Sequence, residues 1–137
     1  MEDYSLLTGV SHFAMYFGIS IVFLIIFKSV YGFATPHAEW KLIKEEKSSA
    51  AAIGFGGAII GFAIALAGAV SNSEGLIDFA IWGLVALVAQ VLSFSIVRFI
   101  FMPKITSRIE NNEVSAGIVL GATSVAVGLI NGACMTY

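Results

Sequence analysis

Six polar side chains that could hold or relay a cation lie inside or at the edges of long apolar stretches of the sequence. An imidazole and a carboxylate at similar depth in a membrane can bind a cation or pass a proton, and a neighbouring phenol can extend the path. Amide and hydroxyl oxygens nearer the middle can coordinate an ion, and polar groups at such depth are costly unless they are satisfied or used. The sequence therefore predicts a candidate polar pathway that contains His12, Tyr16, Asp78, Gln90, Thr123 and Asn131.

Each member of this pathway also has a structural interpretation, and the sequence leaves both open. A histidine near a helix end is commonly an interfacial residue. Asp78 follows the polar turn SNSEG, where it can cap a helix or complement its dipole. Gln90 and Asn131 can join neighbouring helices by hydrogen bonds. Thr123 can bond back to a carbonyl of its own helix.

Residue patterns typical of catalysis, metal binding or nucleic-acid binding are missing from the sequence. It has no Ser, His and Asp trio, no paired intramembrane Asp and no metal-ligand spacing, and most of its glycines lie inside apolar runs. Cys134 is the only cysteine, so no disulfide can form within the chain. A net charge of −2 argues against nucleic acid as a partner. We expect no enzymatic activity, no metal and no cofactor.

The elements that must position these side chains are apolar helices. Hydrophobic residues make up 58% of the 137 residues and charged ones 12%, against about 25% charged in a typical soluble domain. Four stretches without Asp, Glu, Lys or Arg are each close to the roughly 20 residues that a helix needs to cross a bilayer. The sequence predicts one all-α, polytopic membrane domain over 1–137, with helices at about 5–33, 49–71, 77–101 and 114–134.

All seven Lys and Arg residues flank or fill the first and third connections between these helices, whereas the opposite side carries only acidic charges. By the positive-inside tendency, both charged connections face the cytoplasm and both termini face out. Such connections could grip anionic lipid or a peripheral protein, or they could be plain solvated turns with one interfacial tryptophan. The residues concerned are Lys28, Trp40, Lys41, Lys44, Lys47, Arg98, Lys104 and Arg108.

The two charged connections are related by a shift of 67 residues. That shift places Pro36 on Pro103 and Ser48 on Ser115, among seven identities between positions 27 and 61. Because two crossings return the chain to its starting side, the sequence predicts two parallel two-helix hairpin repeats, 1–70 and 71–137.

Glycines at four-residue spacing mark the second and fourth helices. Small residues at this spacing let two backbones approach closely, which is a main source of helix association in lipid. We therefore expect these two helices to be central and the phenylalanine-rich first and third helices to be outer and lipid-facing. The predicted packing glycines are Gly54, Gly57, Gly61, Gly117, Gly121 and Gly128.

Four segments carry a resemblance to a known family: TPHAEWKLIKEEKSSAAAIGFGG, DFAIWGLVALVAQ, RFIFMPKI and GLINGACMTY. They resemble the YjfL family of small bacterial inner-membrane proteins, which is catalogued as a domain of unknown function. The resemblance covers nearly the whole chain and implies a bacterial inner membrane and four helices. It also implies an association with membrane-stress and polyamine-related genes, and it supplies no catalytic residues.

Two functional hypotheses follow from these observations. In the first, identical chains assemble into a homo-oligomeric channel or transporter-like protein that carries a small ion or proton. In the second, the protein is a membrane-stress scaffold whose basic cytoplasmic connections recruit a peripheral protein or anionic lipid. In both, the bilayer is the immediate partner.

Overall fold

The computed structural model describes residues 2–35 and 39–135, with side chains described for residues 5–35 and 41–135. These ranges are largely helical and contain no strand, and four of the helices are long and apolar enough to cross a bilayer. The predicted all-α, multi-pass architecture is therefore confirmed. The helices are α1 (Glu2–Ala34), α2 (Glu39–Lys44), α3 (Ser49–Asn72), α4 (Leu76–Ile96), α5 (Ile105–Glu110) and α6 (Val114–Ala133), and a π-helical segment (Val97–Phe101) continues α4.

The short helices α2 and α5 lie at the same end of the bundle. Two long helices, α3 and α4, separate them along the chain, and these two crossings return it to the end from which it started. We call this end the connection end and the opposite one the far end. Pro36, which the 67-residue shift places on Pro103, lies outside the described residues.

α3 and α6 form the closest helix pair of the bundle. They run parallel, since their contacts advance together from Gly57 with Gly121 to Gly61 with Gly128. A methyl group added at Gly57 would lie only 2.6 Å from the carbonyl oxygen of Gly121, so the two backbones touch there. Contact this close maximises van der Waals attraction, which holds helices together where lipid removes the hydrophobic drive.

The two outermost predicted packing glycines also lie in this seam. Gly117 packs against the backbone of Ala50, and a methyl group at Gly54 would lie 3.0 Å from the side chain of Leu120. Glycine spacing in the sequence thus located the α3–α6 contact.

α4 lies against both α3 and α6 and is more buried than its phenylalanine content predicts. Its residues Phe79, Gly83, Ala86 and Phe94 are buried. Phe23 of α1 covers Gly83, where a methyl group would lie 2.5 Å from the ring. The expectation that α4 is an outer, lipid-facing helix is therefore wrong for the face that carries these four buried residues. Phenylalanine suits hydrocarbon and a protein interior equally well, so composition did not separate the two.

α1 is the outer helix of the bundle and crosses its surface obliquely. Near the connection end it packs on both α3 and α4: the rings of Phe27 and Phe62 stack with centroids 4.6 Å apart, and the ring of Tyr31 lies 6.1 Å from that of Phe94. Toward the far end it packs on α4, where the ring of Tyr16 lies 5.3 Å from that of Phe79. α1 therefore diverges from α3 as it approaches the far end.

Candidate functional site

His12, Tyr16 and Asp78, the far-end members of the predicted pathway, are not gathered into one cation site. His12 is exposed and lines a cavity with Tyr16 and Val70, between α1 and α3. Asp78 lines a different cavity, around the start of its own helix, and its carboxylate accepts a hydrogen bond from the backbone N–H of Glu74 at 2.9 Å. A carboxylate in the first turn that satisfies a free N–H and complements the helix dipole is a cap.

Gln90 occupies the centre of the bundle, between α4 and α6. Its side chain is fully buried, and its amide nitrogen donates to the backbone carbonyl of Ser124 at 2.6 Å. Gly61 makes room for this amide, because a methyl group there would lie 2.5 Å from the amide nitrogen. The amide oxygen Oε1 is also buried and accepts no hydrogen bond from any described residue.

Asn131 joins the same two helices nearer the far end. Its side-chain nitrogen donates to the backbone carbonyl of Ala86 at 3.2 Å. Next to Gln90, the hydroxyl of Ser124 donates to the carbonyl of Leu120 in its own helix at 2.9 Å. The other predicted pathway residue of α6, Thr123, is half-buried. We call Asn131, Gln90 and Ser124 the polar seam; its hydrogen bonds join α4 to α6, as polar side chains commonly do between membrane helices.

The basic residues of the connections point outward. Lys41, Lys44, Lys47 and Lys104 are exposed. Arg108 donates through Nε to the carboxylate of Glu113 at 2.9 Å, and both side chains keep more than a third of their surface exposed. This ion pair bridges the end of α5 and the start of α6.

Lys28 and Arg98, which also belong to the predicted basic set, lie on helices near the connection end. Lys28 is exposed on α1. Arg98 lies in the π-helical segment with its guanidinium 5.3 Å from the ring centroid of Phe99. The backbone of Trp40 belongs to α2, and its side chain lies outside the described residues.

Asn112 links the two connections, a role that the sequence analysis missed. Its side-chain oxygen accepts hydrogen bonds from the hydroxyl of Ser48 at 3.2 Å and from the backbone N–H of Ala50 at 3.0 Å, at the start of α3. The hydroxyl of Ser48 in turn accepts from the N–H of Ala51. Asn112 has a φ of 57°, in the left-handed region that asparagine tolerates better than most residues. The NN pair after α5 was the available signal.

Metal-ligand clusters are not part of this arrangement. Within residues 2–35 and 39–135, no group of three His, Cys, Asp or Glu side chains is placed to hold a metal ion. Cys134 is a free, exposed thiol at the far end.

The comparisons with known proteins agree with the fold. A family model described as Domain of Unknown Function (DUF350) matches residues 5–135. The UPF0719 inner membrane protein YjfL of Escherichia coli strain K12 is 40% identical over 125 residues, which cover 91% of this chain and 93% of that protein. The UPF0719 transmembrane protein YshE of Bacillus subtilis is 26% identical over 118 residues, covering 85% of this chain and 87% of the relative. No solved structure matches. The predicted family resemblance is confirmed: the chain is a multi-pass inner-membrane protein that belongs to the DUF350 family.

Proposed function

We propose that the protein is a membrane-embedded docking platform for a peripheral protein, with no catalytic role of its own. Its binding surface is the connection face, which we define as the exposed or half-buried charged residues from Lys41 to Lys47 and from Lys104 to Glu113. The single observation that carries this proposal is that Asn112 ties both connections into one surface through its hydrogen bonds to Ser48 and Ala50. The face consists of Lys41, Lys44, Glu45, Glu46, Lys47, Lys104, Arg108, Glu110 and Glu113.

Burial beneath the connections supports a preorganised surface. Leu42, Ile105 and Ile109 are buried in the bundle with at most 6% of their surface exposed. Both short helices are therefore anchored by their apolar side. A surface that is already ordered loses little conformational entropy when a partner binds, which favours affinity.

The same burial favours a protein partner over a lipid surface. A lipid-binding amphipathic helix inserts its apolar side chains into the bilayer, and here the apolar side chains of α5 are buried in the protein. Acidic residues such as Glu46 and Glu110 are interspersed with the lysines, so the face does not offer the basic cluster that anionic lipid attracts. Alternating charge is suited to electrostatic complementarity with one protein surface.

Orientation and the internal repeat are parts of this proposal. All seven basic residues of the sequence lie at or near the connection end, so we place that end in the cytoplasm. Two observations support two parallel repeats. α2 and α5 each have six residues. Gly61 and Gly128, 67 residues apart as the sequence shift requires, face each other across the α3–α6 seam.

The proposal is tested by reversing the charge of the connection face. Membranes that carry the wild-type protein, or the triple variant Lys41→Glu, Lys44→Glu and Lys104→Glu, are washed at low salt and their peripheral proteins quantified by mass spectrometry. We expect one protein to be enriched on wild-type membranes and lost from the variant. Glu74→Lys, a charge reversal at the exposed far end, serves as the matched control and should retain it.

Two results would contradict docking. One is an identical set of retained proteins on wild-type and triple-variant membranes. The other is binding of the enriched protein to protein-free vesicles of the same lipid as strongly as to those that contain the wild-type chain. The second result would assign binding to lipid.

Conduction of a small ion or proton by a homo-oligomer is a second candidate function, and one observation favours it. The buried oxygen of Gln90 accepts no hydrogen bond from the described residues, at the middle of a membrane-spanning helix. An acceptor there is costly unless it binds a donor or a cation. The polar seam, from Asn131 to Ser124, is the route that this function would use.

Flux in reconstituted vesicles tests this second function. Conduction through the seam predicts a H⁺, Na⁺ or K⁺ flux that falls at least tenfold in Gln90→Leu. Ile81→Ala, on the exposed face of the same helix, is the control and should conduct like wild type. Absence of flux for all three ions would refute conduction and leave the docking proposal intact.

A further inference from the structure

A wedge between α1 and α3 opens toward the far end of the bundle. Two adjoining cavities of about 370 and 240 Å³ occupy it, and they share Phe17, Ser20 and Val70 in their walls. Along the wedge α1 packs on α4, where Phe23 lies against Gly83 and Phe79. The stacked rings of Phe27 and Phe62 close its narrow end.

The walls of the wedge are apolar along their length. Leu24, Leu66 and Ala67 line its deeper cavity. Two hydroxyls lie in the walls, those of Tyr16 and Ser20. That of Ser20 donates to the backbone carbonyl of Tyr16 at 2.7 Å, so it needs no acceptor from an occupant. Water is therefore a poor occupant, since the wedge lies between two membrane-spanning helices and offers a water molecule few hydrogen-bond partners.

The entrance to the wedge is polar and lies near a membrane boundary. His12 is exposed in the wall of the shallower cavity, together with Val70, which lies two residues before the end of α3. The imidazole N–H can donate a hydrogen bond to a phosphate or ester oxygen. From His12 to Leu24, twelve residues of helix, the wedge is about 18 Å long.

We propose that this wedge seats one acyl chain of a phospholipid from the far-end leaflet, with the headgroup beside His12. The wedge is continuous with the lipid-facing surface of α1, where Phe13 is 67% and Phe17 56% exposed. An acyl chain in the bilayer reaches the wedge without leaving hydrocarbon. The two protein walls and the polar entrance make the wedge a specific site. An acyl chain that lies on an open helix surface has neither.

A helix from a second copy of the chain fits the wedge poorly. An α-helix about 10 Å across and 18 Å long occupies on the order of 1,400 Å³, well above the volume of either cavity. A helix of this width can lie across the mouth of the wedge but cannot enter it. A single hydrocarbon chain is narrow enough to lie between the two walls.

Photolabelling of the full-length protein in vesicles tests the proposal. The probe is phosphatidylglycerol with a photoactivatable diazirine in one acyl chain, and labelled positions are mapped by mass spectrometry. We expect labelling of residues 13–24 and 63–70 to exceed, severalfold, that of residues 84–92. That stretch of α4 carries a lipid-exposed groove of about 390 Å³ that is lined by one helix alone, so it lacks the second wall of the wedge.

Filling the wedge provides the decisive variant. Ala67→Phe places a ring in the deeper cavity and should reduce labelling there to the level of the α4 surface. Ala126→Phe makes the same change on the exposed surface of α6, away from the wedge, and should leave labelling unchanged. Because both alanines are exposed, both variants should fold; thermal unfolding in detergent verifies this.

Three results would overturn the proposal. They are equal labelling of the wedge and the α4 surface in wild type, undiminished labelling of the wedge in folded Ala67→Phe, and cross-links from the wedge to a second copy of the chain instead of to lipid. The last result would assign the wedge to an interface between copies.

Discussion

Replacing Gly57 by alanine should destabilise the bundle by about 2 kcal/mol. The added methyl group would lie 2.6 Å from the carbonyl oxygen and 2.7 Å from the carbonyl carbon of Gly121. Overpacking typically costs about 1–3 kcal/mol, and the upper part of that range applies here because backbone atoms cannot rotate away. The greater helix propensity of alanine offsets about 1 kcal/mol of the cost.

Gly56 supplies a matched control one residue away. A methyl group at Gly56 has no atom within 4 Å outside its own local helix, so Gly56→Ala gains helix propensity without a collision. Its stability should equal or exceed that of wild type by up to about 1 kcal/mol. The two variants share a helix and a chemical change, and they should differ by about 3 kcal/mol.

Reversible unfolding measures this difference. The protein in mild detergent micelles is titrated with sodium dodecyl sulfate, and unfolding is followed by the fluorescence of Trp82, which packs half-buried against the core. The free energy of unfolding is extrapolated to zero denaturant for each variant. Agreement of Gly57→Ala with Gly56→Ala to within about 0.5 kcal/mol would refute backbone contact between α3 and α6.

Three further predictions concern the ends and the seam of the bundle. Asn112→Gly preserves the positive φ and removes the oxygen that accepts from the N–H of Ala50, so it should lower the free energy of unfolding by about 1 kcal/mol in the same assay. An unchanged free energy of unfolding would refute the link between the connections. Asn131→Leu should cost less than about 1 kcal/mol, the usual range for a hydrogen bond between membrane helices; a loss above 2 kcal/mol would show that its bond to Ala86 does more than join two helices. An impermeant maleimide should label the exposed Cys134 in spheroplasts before lysis, and labelling only after lysis would reverse the proposed orientation.

Composition predicted the four spans because hydrocarbon leaves few alternatives for the backbone. A chain in lipid must satisfy its N–H and C=O groups internally, so a long apolar stretch without charge becomes a helix. The α3–α6 contact was also predictable, since glycines such as Gly61 and Gly128 serve close approach and have no side chain that could serve another purpose.

The position of α4 could not be predicted in the same way. The α4 residues Phe79 and Phe94 are buried, whereas Phe99, just beyond α4 in the π-helical segment, is 71% exposed, and nothing in their chemistry distinguishes the two environments. Gly83 was the residue that indicated the burial of α4, because the ring of Phe23 occupies the space that a side chain at position 83 would fill. It lacks a second glycine at four-residue spacing, so the sequence pattern did not mark it.

The candidate polar pathway was predicted from depth alone, and depth does not fix the direction in which a side chain points. His12 and Asp78 are near the same end of the bundle but line different cavities. Gln90 and Asn131 do share the α4–α6 interface, where their hydrogen bonds go to backbone carbonyls. The role of Asn112 depends on a contact between residues more than 60 positions apart, which no local pattern reports.

Photo-cross-linking from the connection face in living cells tests the central claim most directly. A photoreactive amino acid replaces Ser107, exposed in α5, and in a separate strain replaces Ile130, exposed near the far end of α6. Docking predicts that irradiation joins position 107, and not position 130, to one peripheral protein, and that the adduct disappears when Lys41, Lys44 and Lys104 are changed to Glu. Lipid adducts alone at position 107, or the same protein adduct at both positions, would contradict it.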